Sequence, residues 1–197
     1  MAQDLRALER APQDDFLLRF YVWKNRPAAT FGAVQKMDEV RAYLKTLGKE
    51  ALPAARRPTG GGVVVHENDL TFSVVFPWGA RRPEEIYRDF HTAVAVRLQG
   101  GGIPCVVAAG VFTPARACFS HPAPGDVLWD GRKILGGALR KRKGRGLYQG
   151  SLQISGVADW TPFLRGAVLK AAEVFLEPDG ATLFESNPEV GPRTTRP

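Results

Sequence analysis

Cys118, in the string Ala117-Cys118-Phe119-Ser120, and Lys133, in Gly131-Arg132-Lys133-Ile134, are the residues with the most direct chemical use. A thiol attacks as its thiolate, and a neighbouring ammonium lowers the thiol's pKa. Side by side in the fold, the two would form an activated nucleophile. Held apart, they would be a buried cysteine and a surface lysine, and spacing alone leaves both readings open. His121 follows Cys118 closely enough to serve as its base, within a loop that Pro122 restricts. A second stretch, residues 56–66, reads Arg-Arg-Pro-Thr-Gly-Gly-Gly-Val-Val-Val-His. Gly60, Gly61 and Gly62 can bring bare backbone amides against a ligand or take positive φ, and the two arginines before them suit an anionic or carbonyl-bearing group. A glycine-rich surface turn is the other reading. The β-branched run after the glycines, with no helical pattern, excludes the phosphate loop and the dinucleotide turn.

The elements that must position these residues follow from periodicity and punctuation. Residues 2–11 and 37–47 have helical spacing, the latter ended by Gly48, and Pro83 with Glu84 and Glu85 opens a helix running to Leu98. Residues 16–23, 51–57, 63–66, 70–76, 103–112 and 146–154 read as strands, with residues 30–32 continuing into Gln35 after a turn at residues 25–27, and 160–176 as the last helix. Asp130-Gly131 between Val127-Leu128-Trp129 and Lys133-Ile134-Leu135 predicts a tight hairpin, which carries Lys133. Residues 113–125 read as a loop with Cys118 in its middle. Hairpins with helices inserted between them predict an α+β domain whose sheet is mainly antiparallel and flanked by helices. One domain over residues 1–176 is expected, followed by a mobile tail over 177–197.

Composition narrows the function classes. No apolar run is long enough to span a bilayer and the first residues lack a signal-peptide core, so a soluble cytoplasmic protein with no membrane partner is expected. Cys105 and Cys118 fit neither a disulfide framework nor a zinc site, and the three histidines His66, His91 and His121 do not form a metal set. The net charge of +7 is concentrated in Arg132, Lys133, Arg140, Lys141, Arg142, Lys143 and Arg145. A charged hairpin turn is one reading of this stretch and a surface for an acidic protein is another. The absence of any helix-turn-helix, zinc-finger or RNA-recognition signature argues against nucleic acid. His91 falls within the third helix, as a surface or packing residue.

The string from Arg56 to His66, with Leu18-Arg19-Phe20-Tyr21-x-Trp23, Gly32-x-x-Gln35 and Asp130-Gly131-Arg132-Lys133-Ile134-x-Gly136-x-Ala138, resembles the biotin/lipoate A/B protein ligase family from Met1 to about Leu176. The resemblance implies the fold shared by class II aminoacyl-tRNA synthetases and biotin ligases. It implies that Lys133 faces the reacting acyl carbonyl, and that Arg57, Thr59, Gly60, Gly61, Gly62, His66, Ser73, Gly136 and Ala138 shape the substrate pocket. Cys118-Phe119, preceding the lysine hairpin, matches the cysteine-dependent octanoyltransferases of the family. Their implied reaction moves an octanoyl group from octanoyl-acyl carrier protein, through a cysteine thioester, to a lysine of a lipoyl domain of a 2-oxoacid dehydrogenase or of the glycine cleavage H protein. Such a reaction needs no cofactor, because the thioester is already activated. Arg140, Lys141, Arg142 and Lys143 are then a candidate docking surface for the acidic carrier protein. The alternative within the family is an ATP- and Mg-dependent lipoate-protein ligase, whose usual Asn-Asp pair before the hairpin is absent and for whose accessory domain the residues after Leu176 leave no room. A non-catalytic carrier-protein or nucleic-acid-binding relative is the alternative outside enzymes. Two departures stand out: Gly137-Ala138-Leu139 where the family often has Ser-Ala-Gln, and Gln149 where a histidine is common.

Overall fold

The computed structural model describes residues 1–10, 16–23, 26–110, 122–154, 157–176 and 183–186. Its order is α1 (Ala2–Arg10), β1 (Phe16–Val22), β2 (Ala28–Phe31), α2 (Met37–Thr46), β3 (Ala54–Arg56), β4 (Val64–His66), β5 (Leu70–Pro77), α3 (Pro83–Gly100), β6 (Cys105–Val107), β7 (Val127–Trp129), β8 (Arg132–Arg142), β9 (Arg145–Leu152), α4 (Val157–Leu176) and β10 (Leu183–Ser186). Among the described residues the strands form a seven-stranded sheet, β10-β1-β5-β9-β8-β7-β6, and a three-stranded one, β3-β2-β4. In the large sheet the β1/β10 pair is parallel and the others are antiparallel. The expected α+β class with a mainly antiparallel sheet is what the chain adopts.

Alternation along the strands decides which side chains go to which face. Phe16, Leu18 and Phe20 of β1 join Leu70, Phe72, Val74 and Phe76 of β5 in the main core, beneath Ile86, Phe90, Val94 and Leu98 of α3 and Leu164, Val168 and Ala171 of α4. The small residues Ala167, Ala171 and Ala172 let α4 pack closely against its neighbours. On the opposite face, Leu8 of α1 covers Val75 and Leu147. β5 is therefore buried on both sides, residue after residue. The small sheet has its own core of Ala29, Phe31, Val40, Leu44 and Val63, under α2. It carries the glycine stretch on the connection between β3 and β4.

The predicted tight turn before the lysine-bearing strand, and the turn that ends this strand, both have the backbone that two-residue hairpins require. Trp129 pairs with Arg132 across Asp130 (φ 50) and Gly131 (φ 71), and Arg142 pairs with Arg145 across Lys143 (φ 48) and Gly144 (φ 77). The strand expected over 103–112 is shorter among the described residues. Only Cys105–Val107 pairs, at the sheet edge, where Val106 is 60% exposed rather than buried. Four residues of the expected tail, Leu183–Ser186, pair in parallel with β1, so they are part of the sheet. No helix among the described residues is long and apolar enough to cross a membrane.

His91 is fully buried at the junction of α3 and the sheet. Its Nδ1 donates to the Gly125 carbonyl at 2.6 Å and its Nε2 accepts from the Tyr148 hydroxyl. Burial pushes its pKa down to about 3, from an unfolded value near 6.5. Between those values the unfolded chain binds the extra proton. The contribution is thus complete above the unfolded value and is lost as pH falls through the window, at up to about 1.4 kcal/mol per pH unit. Urea midpoints measured from pH 7 to pH 4 should fall more steeply for the parent than for His91→Gln; parallel profiles would show that the imidazole does not set the acid limb.

Candidate active site

The side of the sheet facing away from α3 and α4 carries two polar rows that cross four strands. Register places Arg19 opposite Ser73, Ser73 opposite Gln149, and Gln149 opposite Ala138. The neighbouring row runs Tyr21, Thr71, Ser151 and Gly136. With α1 above them these polar groups have little water, so they must satisfy one another. Asp4 of α1 is the hub of the first row. Its carboxylate is fully buried, pairs with Arg19, and accepts from Ser73 at 2.9 Å, Gln149 at 2.7 Å and Tyr21 at 3.2 Å. Burial and then the charge of Asp4 hold the Tyr21 phenol well above its ordinary range, so it remains a donor. Ser73 thus lies under α1, bonded to Asp4, and Thr59 donates to Gln149 at 2.8 Å. Gln149, in place of the family's histidine, joins the glycine stretch to α1 with its two ends.

The wall beside this floor comes from the small sheet. Arg57 donates to Thr30 at 3.0 Å and to the carbonyls of Gly60 at 2.9 Å and Gly62 at 2.8 Å, so its guanidinium braces the glycine stretch from within. Gly32 lies against the backbone of Gly60 and Gly61, where any side chain would collide with the Gly61 carbonyl. Arg56 sits over the Phe31 ring and bonds the carbonyls of Ala33 and Gln35. His66 is pinned at both nitrogens, Nε2 to Thr30 and Nδ1 to Asp69, each at 2.8 Å, and Trp23 stacks on its ring at 4.5 Å. Asp69 also accepts from Thr71 and Ser151. The second row is thereby tied to the small sheet.

Lys133 enters from β8. Its side chain lies directly across Gly136, in the space a Cβ there would need, and its Nζ is 2.8 Å from Asp126 Oδ2. The lysine and aspartate side chains are 4% and 0% exposed, so the ammonium is a fixed internal cation. Gly137 leaves room for the Tyr148 hydroxyl, which any side chain at that position would strike. The Gly137 amide donates to the Tyr87 hydroxyl at 3.0 Å and is not open to a ligand. Cys118 and His121 lie outside the described residues. The basic hairpin is anchored: Arg140 bonds the Pro58 carbonyl at 2.7 Å, Lys141 sits over Trp78, and Arg142 pairs with Glu9. Lys143 occupies the turn, exposed.

A cavity of about 30 Å³ opens between floor and wall, with Tyr21, Arg57, His66, Gly136 and Ala138 among its walls and Met1 at one side. Of the expected pocket residues, Arg57, His66, Gly136 and Ala138 line it; Thr59, Ser73 and the three glycines do not. Asp4, Asp69, Asp126, Tyr21, Thr71 and Ser151 were not anticipated as site residues. The polar period-two pattern of Thr71 and Ser73, and of Gln149 and Ser151, was the available signal, on strands buried on both faces. Among the described residues no group of three His, Cys, Asp or Glu side chains could hold a metal ion. Removing Asp4 leaves the Arg19 cation buried without its carboxylate, so Asp4→Ala should cost about 3–5 kcal/mol in urea unfolding, far more than Glu173→Ala in the exposed pair with Lys170. Equal small losses would show that Asp4 is not the hub.

The chain is 32% identical over 144 residues to octanoyltransferase LipM of Oceanobacillus iheyensis, which covers 70% of this chain and 52% of that protein. It is 32% identical over 154 residues to octanoyltransferase LipM of Symbiobacterium thermophilum, covering 68% and 52%. The chain thus spans about half the length of the curated relatives it matches. In fold it matches protein Ta0514 of T. acidophilum, solved with bound lipoic acid, at TM-score 0.71 and 24% identity over 94% of this chain and 82% of that one. A lipoate-protein ligase A bound with ATP matches at TM-score 0.66 and 24% identity, over 92% and 81%. Residues 1–170 match the family model of the lipoyl protein ligase A/B catalytic domain, and the chain belongs to that family.

Proposed function

We propose that residues 1–176 form the catalytic domain of a cysteine-dependent octanoyltransferase, which moves an octanoyl group from acyl carrier protein to a lysine of a lipoyl domain in lipoate assembly. The observation that carries this reading is the buried Lys133 ammonium laid across Gly136, one of the walls of the cavity. Relatives that share the family and are named octanoyltransferases support the choice of reaction.

The Cys118 thiolate attacks the thioester carbonyl of the donor, a carbon–sulfur bond forms, and the carrier's thiol leaves with a proton from solvent. The lysine amine of the acceptor then attacks the acyl-enzyme, an amide forms, the amine's proton is released, and Cys118 returns to thiolate. The fixed Lys133 cation stabilises the thiolate and the negative charge that develops on the acyl oxygen. No cofactor is required, since the donor is already activated. The apolar chain enters past Ala138 and the glycines of β8 and β9. Met1, an unbranched thioether in a 3.3 Å contact from Gln149, stands at one side of the cavity and is the wall that moves aside for the chain.

Intact mass after mixing with octanoyl-acyl carrier protein, without ATP, should show one octanoyl adduct, labile to hydroxylamine and absent in Cys118→Ala. Transfer to a lipoyl domain only from free octanoate with ATP and Mg would instead identify a ligase. Lys141 and Lys143 are the exposed cations of the β8–β9 hairpin. Reversing both charges should raise KM for octanoyl-acyl carrier protein by about tenfold at low salt, with a small octanoyl thioester turned over as before. Equal loss on both donors would remove the hairpin as the carrier's dock.

A further inference from the structure

We infer that Asp126 is the positioning residue of Lys133, and that Tyr87 and His91 of α3 hold Asp126 to that task. The inference deepens the proposed reaction and rests on Lys133 being its fixed cation. A lysine side chain is a flexible stem that ordinarily carries its charge to water. Here the stem crosses Gly136 and ends inside the protein, which a buried ammonium tolerates only against a fixed opposite charge. Asp126 provides it, 2.8 Å away.

The aspartate is itself held on every side. Its Oδ1 accepts from the Tyr87 hydroxyl at 2.6 Å and its Oδ2 from the Ala123 amide at 2.6 Å. The preceding carbonyl, of Gly125, accepts from His91 Nδ1, whose other nitrogen accepts from Tyr148. Tyr87 also accepts from the Gly137 amide, next to the glycine that the lysine crosses. Carboxylate, ammonium and the β8 backbone beneath them are thus located by one set of bonds. Burial holds the Tyr87 phenol well above its ordinary range and His91 well below its own, so one remains a donor to Asp126 and the other a neutral ring with a single tautomer. Such a bonded set is what a preorganised charge requires.

This makes Asp126 a residue that acts through Lys133, separable from one that only stabilises the fold. Thioester formation from octanoyl-acyl carrier protein would be followed for Asp126→Asn, Asp126→Glu, Tyr87→Phe and Lys133→Gln, and for Asp126→Asn combined with Lys133→Gln. Asp126→Asn should lower kcat by about a hundredfold while KM stays within about twofold, since a displaced cation affects the transition state more than donor binding. Asp126→Glu should recover part of the rate, and Tyr87→Phe should show a smaller loss in the same direction. In the Lys133→Gln background Asp126→Asn should add nothing further, the coupling expected of groups that act as one unit. Additive losses, or a loss carried by KM, would overturn the inference. Should the parent protein form no thioester at all, the proposed reaction fails, and positioning is decided by amine-reactive labelling read by peptide mass. The labelling rate of Lys133 relative to the exposed Lys170 should then rise several-fold in Asp126→Asn, and an unchanged ratio would overturn it.

Discussion

A sheet covered on both faces leaves its polar side chains without water, and that constraint governs the whole site. The rows from Arg19 to Ala138 and from Tyr21 to Gly136 lie under α1 and beside the small sheet. Each donor and acceptor in them therefore needs an internal partner, since an unmet buried polar group costs about 1–3 kcal/mol. Asp4 and Asp69 answer most of that demand, one from a helix above and one from the turn before β5. The partners they collect come from β1, β4, β5 and β9, so the site's geometry is locked by the same bonds that close the fold. A rigid polar floor beside a small, mostly apolar space is the consequence.

Missing side chains matter as much as those present. Gly32 admits the glycine stretch against β2, Gly136 gives Lys133 its path, and Gly137 accommodates Tyr148. Gly150 similarly leaves space for Phe72 and Tyr148 on the core side. Each is a close approach of neighbouring atoms that a methyl group would block, so the site depends on absent volume on both faces of β8 and β9. Arg57 braces the stretch of residues 60–62 through the carbonyls of Gly60 and Gly62, while Gly60 has open space where a side chain would stand and Gly61 is exposed.

Charge follows the same division between interior and rim. Lys133 and Asp126 form a buried pair, where removal of either partner strands the other, whereas the β8–β9 hairpin carries partly exposed charge that salt screens. The first suits a fixed role at a reacting centre and the second suits recognition. The anchoring of Arg140 to Pro58 joins the hairpin mechanically to the glycine stretch, so the basic rim and the pocket wall belong to one body.

The sequence alone was enough for whatever is local in the chain. Periodicity and turn chemistry set most elements, and Asp130-Gly131 placed the lysine hairpin because two positive-φ residues permit little else. The motif spacing was enough for the family. Edge position was not legible at 103–112, because pairing partners, rather than local composition, decide where a strand stops. The β10 pairing was missed for the same reason: a short segment acquires strand structure from the neighbour it meets. Asp4, Asp69 and Asp126 look like ordinary acidic residues in one dimension. Only the tertiary structure made them hubs, since burial turns a solvated carboxylate into one that must gather donors, and those donors come from distant parts of the chain.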